Sequence, residues 1–142
     1  MTPMDSYERL VLALTIWREA RGEDHKTKVA VACSIRNRVL HPKWWGNDYV
    51  SVCTKKWQYS SMTATSDPQL GLWPSITDFS FAECMEIADA VIDGELSTPI
   101  ETHGADSYYD DSIAPPKWAT PDKFVGKLGK LNFYNIDGET ED

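Results

Sequence analysis

Leu10-Val11-Leu12-Ala13-Leu14-Thr15-Ile16-Trp17-Arg18-Glu19-Ala20-Arg21-Gly22-Glu23 is the stretch whose reading decides the fold. From Leu10 to Trp17 the residues are apolar on nearly every helical face, which suits a helix surrounded by protein and not one lying on a surface. Asp5 followed by Glu8 has the spacing of a capping box, and the run from Tyr7 to Arg21 holds no Pro or Gly until Gly22 supplies a stop. The pattern predicts a central, buried first helix. Glu19 falls on the face of Leu12 and Ile16, so a carboxyl is set against an otherwise apolar surface.

Working outward, Asp24 is a candidate N-cap for a second helix from Lys26 to Leu40, ended by Pro42. Val29, Ala32, Cys33, Arg36 and Val39 share one face of it, so it can pack closely on the first. Residues 42–79 change character: Trp44, Trp45, Tyr49, Trp57, Tyr59 and Trp73 are set among Gly, Pro, Ser, Thr and Asn, which reads as loops and short helices. So long an irregular stretch is more often functional than filler. Ser80 and Glu83 have capping-box spacing before a helix from Phe81 to Ile92 that Gly94 ends. The last third offers extended pieces near Ser107 to Tyr109 and Leu131 to Tyr134. The expected class is mainly α with little strand and an irregular, loop-rich cleft.

The chain has 142 residues, 42% hydrophobic and 25% charged, the balance of an ordinary folded domain. We read residues 1–142 as one catalytic domain with its core at about 5–136 and an acidic tail over 137–142. Fourteen basic against 22 acidic residues give a net charge of −8. That excludes nucleic acid as an expected partner, because phosphate binding needs a basic face. No apolar run approaches the ~18 residues of a membrane helix, so stable membrane insertion is not expected, nor is a basic and apolar leader seen after Met1. Cys33, Cys53 and Cys84 lack C-x-x-C spacing and read as buried reduced thiols. His25, His41 and His103 are far apart and lack metal-ligand spacing, so neither a metal nor an organic cofactor is expected.

Desolvation on an apolar face raises a carboxyl pKa, to roughly 6 in known cases, which keeps a proton available for a leaving oxygen near neutral pH. Glu19 is therefore a candidate general acid. A structural ion pair with Arg18, Arg21 or Arg36 is the competing reading, and Glu23 is the rival carboxylate, although Gly22 should end the helix before it. Cys33 with His103 would be the residue pair for a thiol peptidase, yet Cys33 falls on an apolar face where inertness is expected. The tryptophans and tyrosines, concentrated after residue 43, suit sugar rings in a cleft.

At Glu19-Ala20-Arg21-Gly22-Glu23 the chain resembles the spore-cortex-lytic cell-wall hydrolases of the SleB type, which carry E-A-R-G-E at the end of the first helix. Val29-Ala30-Val31-Ala32 with Asn37-Arg38-Val39 resembles their V-A-V-A…N-R-V helix, and Gln58-Tyr59-Ser60 their Q-F-S segment. Ala90 to Gly94, Gly104-Ala105-Asp106-Ser107-Tyr108-Tyr109, Pro116-Lys117-Trp118-Ala119 and Gly129 to Tyr134 follow in the family's order. The resemblance spans about residues 8–136. Two departures stand out: Leu131 occupies a position where the family often has His, and Ser107 and Tyr109 stand in place of histidines.

The resemblance implies a lysozyme-like α fold and an enzyme acting on bacterial peptidoglycan between N-acetylmuramic acid and N-acetylglucosamine. It implies Glu19 as the catalytic glutamate and Gln58, Ser60, Tyr108, Tyr109 and Trp118 as substrate contacts. Hydrolysis would need a second carboxylate about 5–10 Å away, and no clear partner stands out in the sequence. A single-glutamate lytic transglycosylase giving 1,6-anhydro ends is therefore expected, with a muramidase, an amide-cutting wall hydrolase or a non-catalytic wall-binding module as the alternatives. The setting expected is a monomeric phage endolysin, made in the host cytoplasm and released to the wall.

Overall fold

The apolar run Leu10 to Trp17 lies within helix α1, Pro3–Ala20, of the computed structural model, which describes residues 3–138. Leu12, Ala13 and Ile16 are fully buried, and the one polar residue among them, Thr15, is satisfied by donating its hydroxyl to the Val11 carbonyl at 2.8 Å. The surrounding partners are α2 (His25–Leu40), α3 (Tyr49–Cys53), α4 (Ser60–Thr63) and α5 (Phe79–Ile92), all of which pack on α1. The expected central helix is thus present. Asp24 caps α2 as expected, accepting from Thr27 N at 2.9 Å.

The two capping boxes expected at Asp5/Glu8 and Ser80/Glu83 do not form. Asp5 lies inside α1 and pairs with Arg9, while Glu8 reaches across to accept the first backbone N–H groups of α3, from Tyr49 at 2.6 Å and Val50 at 3.1 Å. Helix α5 starts earlier than expected, capped by Asp78 accepting from Phe81 N. Asp caps as well as Ser does, which leaves Glu83 available to bind Lys28 and His25 and so join α5 to α2. Arg9 ties α1 to α5 in the same way, through Asp89 and Asp93.

Residues 42–79 are loops around α3, α4 and a short 3-10 turn, as expected. The last third holds the two expected extended pieces and one strand more. Ser107–Asp110 (β1), Phe124–Leu128 (β2) and Leu131–Tyr134 (β3) form an antiparallel sheet in the order β1-β3-β2, with Tyr108 opposite Phe133. Strand β2 escapes a sequence reading because Gly126 interrupts its pattern. The glycine is required there, since a Cβ would collide with the Glu101 carbonyl oxygen of a neighbouring turn. Leu131 and Phe133 turn their side chains into the same hydrophobic cluster as α1. The part of the expected acidic tail beyond Gly138 lies outside the described residues. All three cysteines are buried thiols, as expected, and no helix among the described residues is long and apolar enough to cross a membrane.

Because Leu12 is fully enclosed, Leu12→Ala should lower the unfolding free energy by about 3 kcal/mol or more, read from urea denaturation. Gly126→Ala should also destabilise, by forcing the 100–102 turn away from the sheet.

Candidate active site

Helix α1 ends at Ala20, and Glu19 occupies its last turn, where the run of core-facing residues reaches the floor of a cleft. Two cavities, of about 310 and 670 Å3, meet at this carboxyl. Both are also lined by Trp57, Gln58, Tyr108 and Trp118. One boundary of the cleft is the 57–69 segment with α4, and the other is the sheet with the loop that follows β1.

Each boundary sends one hydroxyl to Glu19. Ser61 Oγ donates to Oε2 at 2.5 Å and Tyr108 Oη donates to Oε1 at 2.6 Å. The three arginines that could have paired with Glu19 are engaged elsewhere. Arg18 donates to the carbonyls of Leu72 and Ser61, Arg21 to that of Trp17, and Arg36 to that of Leu96. With no cation bonded to it among the described residues, Glu19 is raised above the usual carboxylate range by burial. The two hydroxyl donors oppose that shift, and the nearby negative charges of Asp67 and Asp110 add to it. The C-terminal end of a helix dipole acts against a negative charge in the same sense. Tyr108 is itself held protonated by burial and by its carboxylate neighbour, so it remains a donor.

The other residues expected to contact substrate converge on this cleft. Gln58, Ser60, Tyr108, Tyr109 and Trp118 all line the larger cavity together with Glu19. Gln58 is oriented by Arg38, whose Nη1 donates to its Oε1 at 2.9 Å. A guanidinium can only donate, so the amide oxygen must face Arg38, and the NH2 is what Gln58 can offer the cavity. Arg38 is itself buried, donating also to the Asp106 carbonyl and Ser107 Oγ. Ser60 turns its hydroxyl to Asp67 at 2.6 Å, whereas its neighbour Ser61 holds Glu19. Tyr109 and Trp118 pack with Tyr134 in an aromatic group at the rim.

Three features were not singled out from the sequence. Ser61 carries no motif of its own and is found only by folding α4 onto α1. Asp67 and Asp110, far apart in the chain, both line the larger cavity with Glu19. Both Asp67 oxygens accept hydrogen bonds, from Gln69 N and Ser60 Oγ, and Asp110 Oδ1 accepts from Ser112 N. Leu131 is buried against the cavity, and Ser107 is taken up by Arg38 and Asp106, so neither offers a titrating group there. Glu23 lies apart from the cleft lining, accepting from Lys130 N in the turn between β2 and β3. Cys33 is sealed within the core.

A family model described as Cell Wall Hydrolase matches residues 22–134, a span that opens just after Glu19. No curated protein gives a match. Among solved structures, the chain is similar to the catalytic domain of the germination-specific lytic transglycosylase SleB from Bacillus anthracis. The identity is 25% and the TM-score 0.68, over 89% of this chain and 93% of that one. It is also similar to the catalytic domain of the Bacillus cereus SleB protein, at 23% identity and a TM-score of 0.64 over 91% of this chain and 90% of that one. The second likeness speaks to the fold alone. The mainly α, lysozyme-like fold expected from the sequence is the one these structures share.

A raised Glu19 has a definite effect on stability. Between the carboxyl's ordinary pKa and its raised folded value the native state holds more protons than the unfolded chain, so stability falls as pH rises through that window. Glu19→Gln removes the ionisation. Its melting temperature should exceed that of the parent at about pH 7.5, and the difference should vanish at about pH 3.5, below the ordinary carboxylate range. A constant difference across that range would contradict the assignment.

Proposed function

The chain belongs to the cell-wall hydrolase family, and from that premise we propose that it cleaves the glycan backbone of peptidoglycan between N-acetylmuramic acid and N-acetylglucosamine as a lytic transglycosylase. The observation that carries the reading is a partly buried carboxyl without an arginine partner, raised in pKa, at the meeting of two cavities of about 310 and 670 Å3. That is the placement a general acid needs when sugars must bind on both sides of the bond to be cut.

In the proposed reaction Glu19 gives its proton to the bridging oxygen as the bond from that oxygen to the muramic acid anomeric carbon breaks. The resulting carboxylate is steadied by the Ser61 and Tyr108 hydroxyls, which already donate to its two oxygens. It then takes the proton of the muramic acid 6-hydroxyl while that oxygen attacks the anomeric carbon. A 1,6-anhydro end forms, Glu19 regains its proton, and no water is consumed. Gln58, through its NH2, and the aromatic faces of Tyr109 and Trp118 would position the sugars.

Asp67 and Asp110 in the same cavity support a second reading, hydrolysis by a muramidase with one of them activating water. The transglycosylase reading is preferred because both Asp67 oxygens are already engaged and Asp110 is tied to its own turn. The biological setting we propose is phage endolysin action by a monomer that leaves the host cytoplasm to reach the wall. Expression in a bacterial host should then lyse cells only when a pore-forming protein is co-expressed.

Mass spectrometry of digested peptidoglycan is expected to show anhydro-muropeptides, while ordinary reducing ends would establish hydrolysis. Glu19→Gln should lose at least ~1,000-fold in turnover with its circular dichroism unchanged, and retained activity in that variant would refute the role. Removing a donor to the carboxylate raises its pKa further. Tyr108→Phe and Ser61→Ala should therefore shift the alkaline limb of the pH–rate profile to higher pH.

A further inference from the structure

Beyond Trp57 lies a third cavity, of about 330 Å3, that does not include Glu19. It joins the larger Glu19 cavity at Trp57 and Ser60, which line both, and so forms a side branch of the cleft. The wall between them is built at a conformational cost. A turn closed by Gln58 N donating to the Lys55 carbonyl at 3.1 Å places Trp57 at φ 73°, the one left-handed non-glycine backbone among the described residues. A bulky side chain avoids this region unless its surroundings demand it, and such residues gather at functional sites. Here the core makes no such demand, because Trp57 is 81% exposed.

We propose that this branch receives the peptide stem of the glycan strand, with the Lys56 ammonium pairing with a stem carboxylate. The inference rests on the reading of peptidoglycan as the substrate. That polymer is branched, because each muramic acid carries its stem on a lactyl group. A strand threaded through the two cavities that meet at Glu19 must send a branch sideways close to the bond being cut.

The lining matches such a branch. Lys56 lies 5.0 Å from the centre of the Trp57 ring and has no carboxylate partner among the described residues. Thr65 and Ser66 bring hydroxyls, which suit peptide carbonyls and carboxylates. The charge pattern gives a direction as well. Asp67 and Asp110 set two carboxylates against the one guanidinium of Arg18 in the larger cavity, whereas the branch is lined by Lys56 and by no carboxylate. In a chain of net charge −8 the branch is thus lined by a cation without a carboxylate beside it. The outer face of the indole, meanwhile, is an apolar surface for alanine methyl groups.

Binding can be measured apart from cleavage in the Glu19→Gln background. The probes are soluble, uncross-linked glycan strands with their stems, and the same strands stripped of stems by an amidase. Titration calorimetry should show the stem-bearing strands binding about tenfold more tightly. Adding Lys56→Glu should remove that preference, and adding Lys56→Arg should keep it. Equal affinity for the two probes, or a preference that survives Lys56→Glu, overturns the proposal. Cleavage by the unsubstituted protein is scored separately. A stem preference without cleavage would leave the branch site standing and would refute the proposed reaction instead.

Discussion

Arg38 projects from α2 into the region where the helical core meets the cleft, and nearly everything polar there is arranged around its guanidinium. A buried cation costs several kcal/mol unless its donors are matched. Here they go to the Asp106 carbonyl, Ser107 Oγ and Gln58 Oε1, while the planar group stacks near Trp45 and Tyr59. Those partners come from the loop before α3, the 57–69 segment and the start of β1. Through Arg38 the 57–69 boundary of the cleft and the start of β1 share a common reference, which the Tyr59–Tyr108 ring contact reinforces. The precision of the cleft is thus set by a residue that lines only its smaller part.

A related tension governs α1. Its burial drives folding, yet the same burial delivers an ionisable group into a poorly solvated place at its last turn. Replacing Glu19 by an apolar residue would ease that conflict, and pairing it with one of the neighbouring arginines would ease it too. The fold does neither: Arg18 is turned toward Trp73 and Arg21 toward Trp17, each lying over an indole ring. Holding cations nearby but off the carboxyl keeps the proton available, and the cost is carried by the rest of the core.

Features set by local chemistry were legible in the sequence. The apolar run, Gly22 and the Asp24 cap place α1 and α2 correctly, because each depends on neighbours within a turn. The candidate contacts at Gln58, Ser60, Tyr108, Tyr109 and Trp118 do reach one cleft, and it was ordered motifs, not periodicity, that pointed to them. What escaped was long-range use of ordinary residues. Glu8 and Glu83 have the spacing to cap their own helices, but each finds a better partner on another element. Ser61 and Asp67 are unremarkable polar residues until α4 docks, and β2 is disguised by a glycine that a distant carbonyl requires.

The second glutamate of Glu19-Ala20-Arg21-Gly22-Glu23 has a quieter part. Glu23 accepts from Lys130 N in the tight turn that joins β2 to β3, where Gly129 leaves room for it. The sheet side of the cleft is thereby latched to the end of α1, a few residues from the carboxyl it faces. The opposite side is a single helical turn and loops, held through Ser61, through Gln58 and by the Arg18 guanidinium of α1, which donates to the Ser61 carbonyl. Both sides of the cleft are thus tied to the end of the helix that carries the carboxyl, so the spacing between them follows that helix.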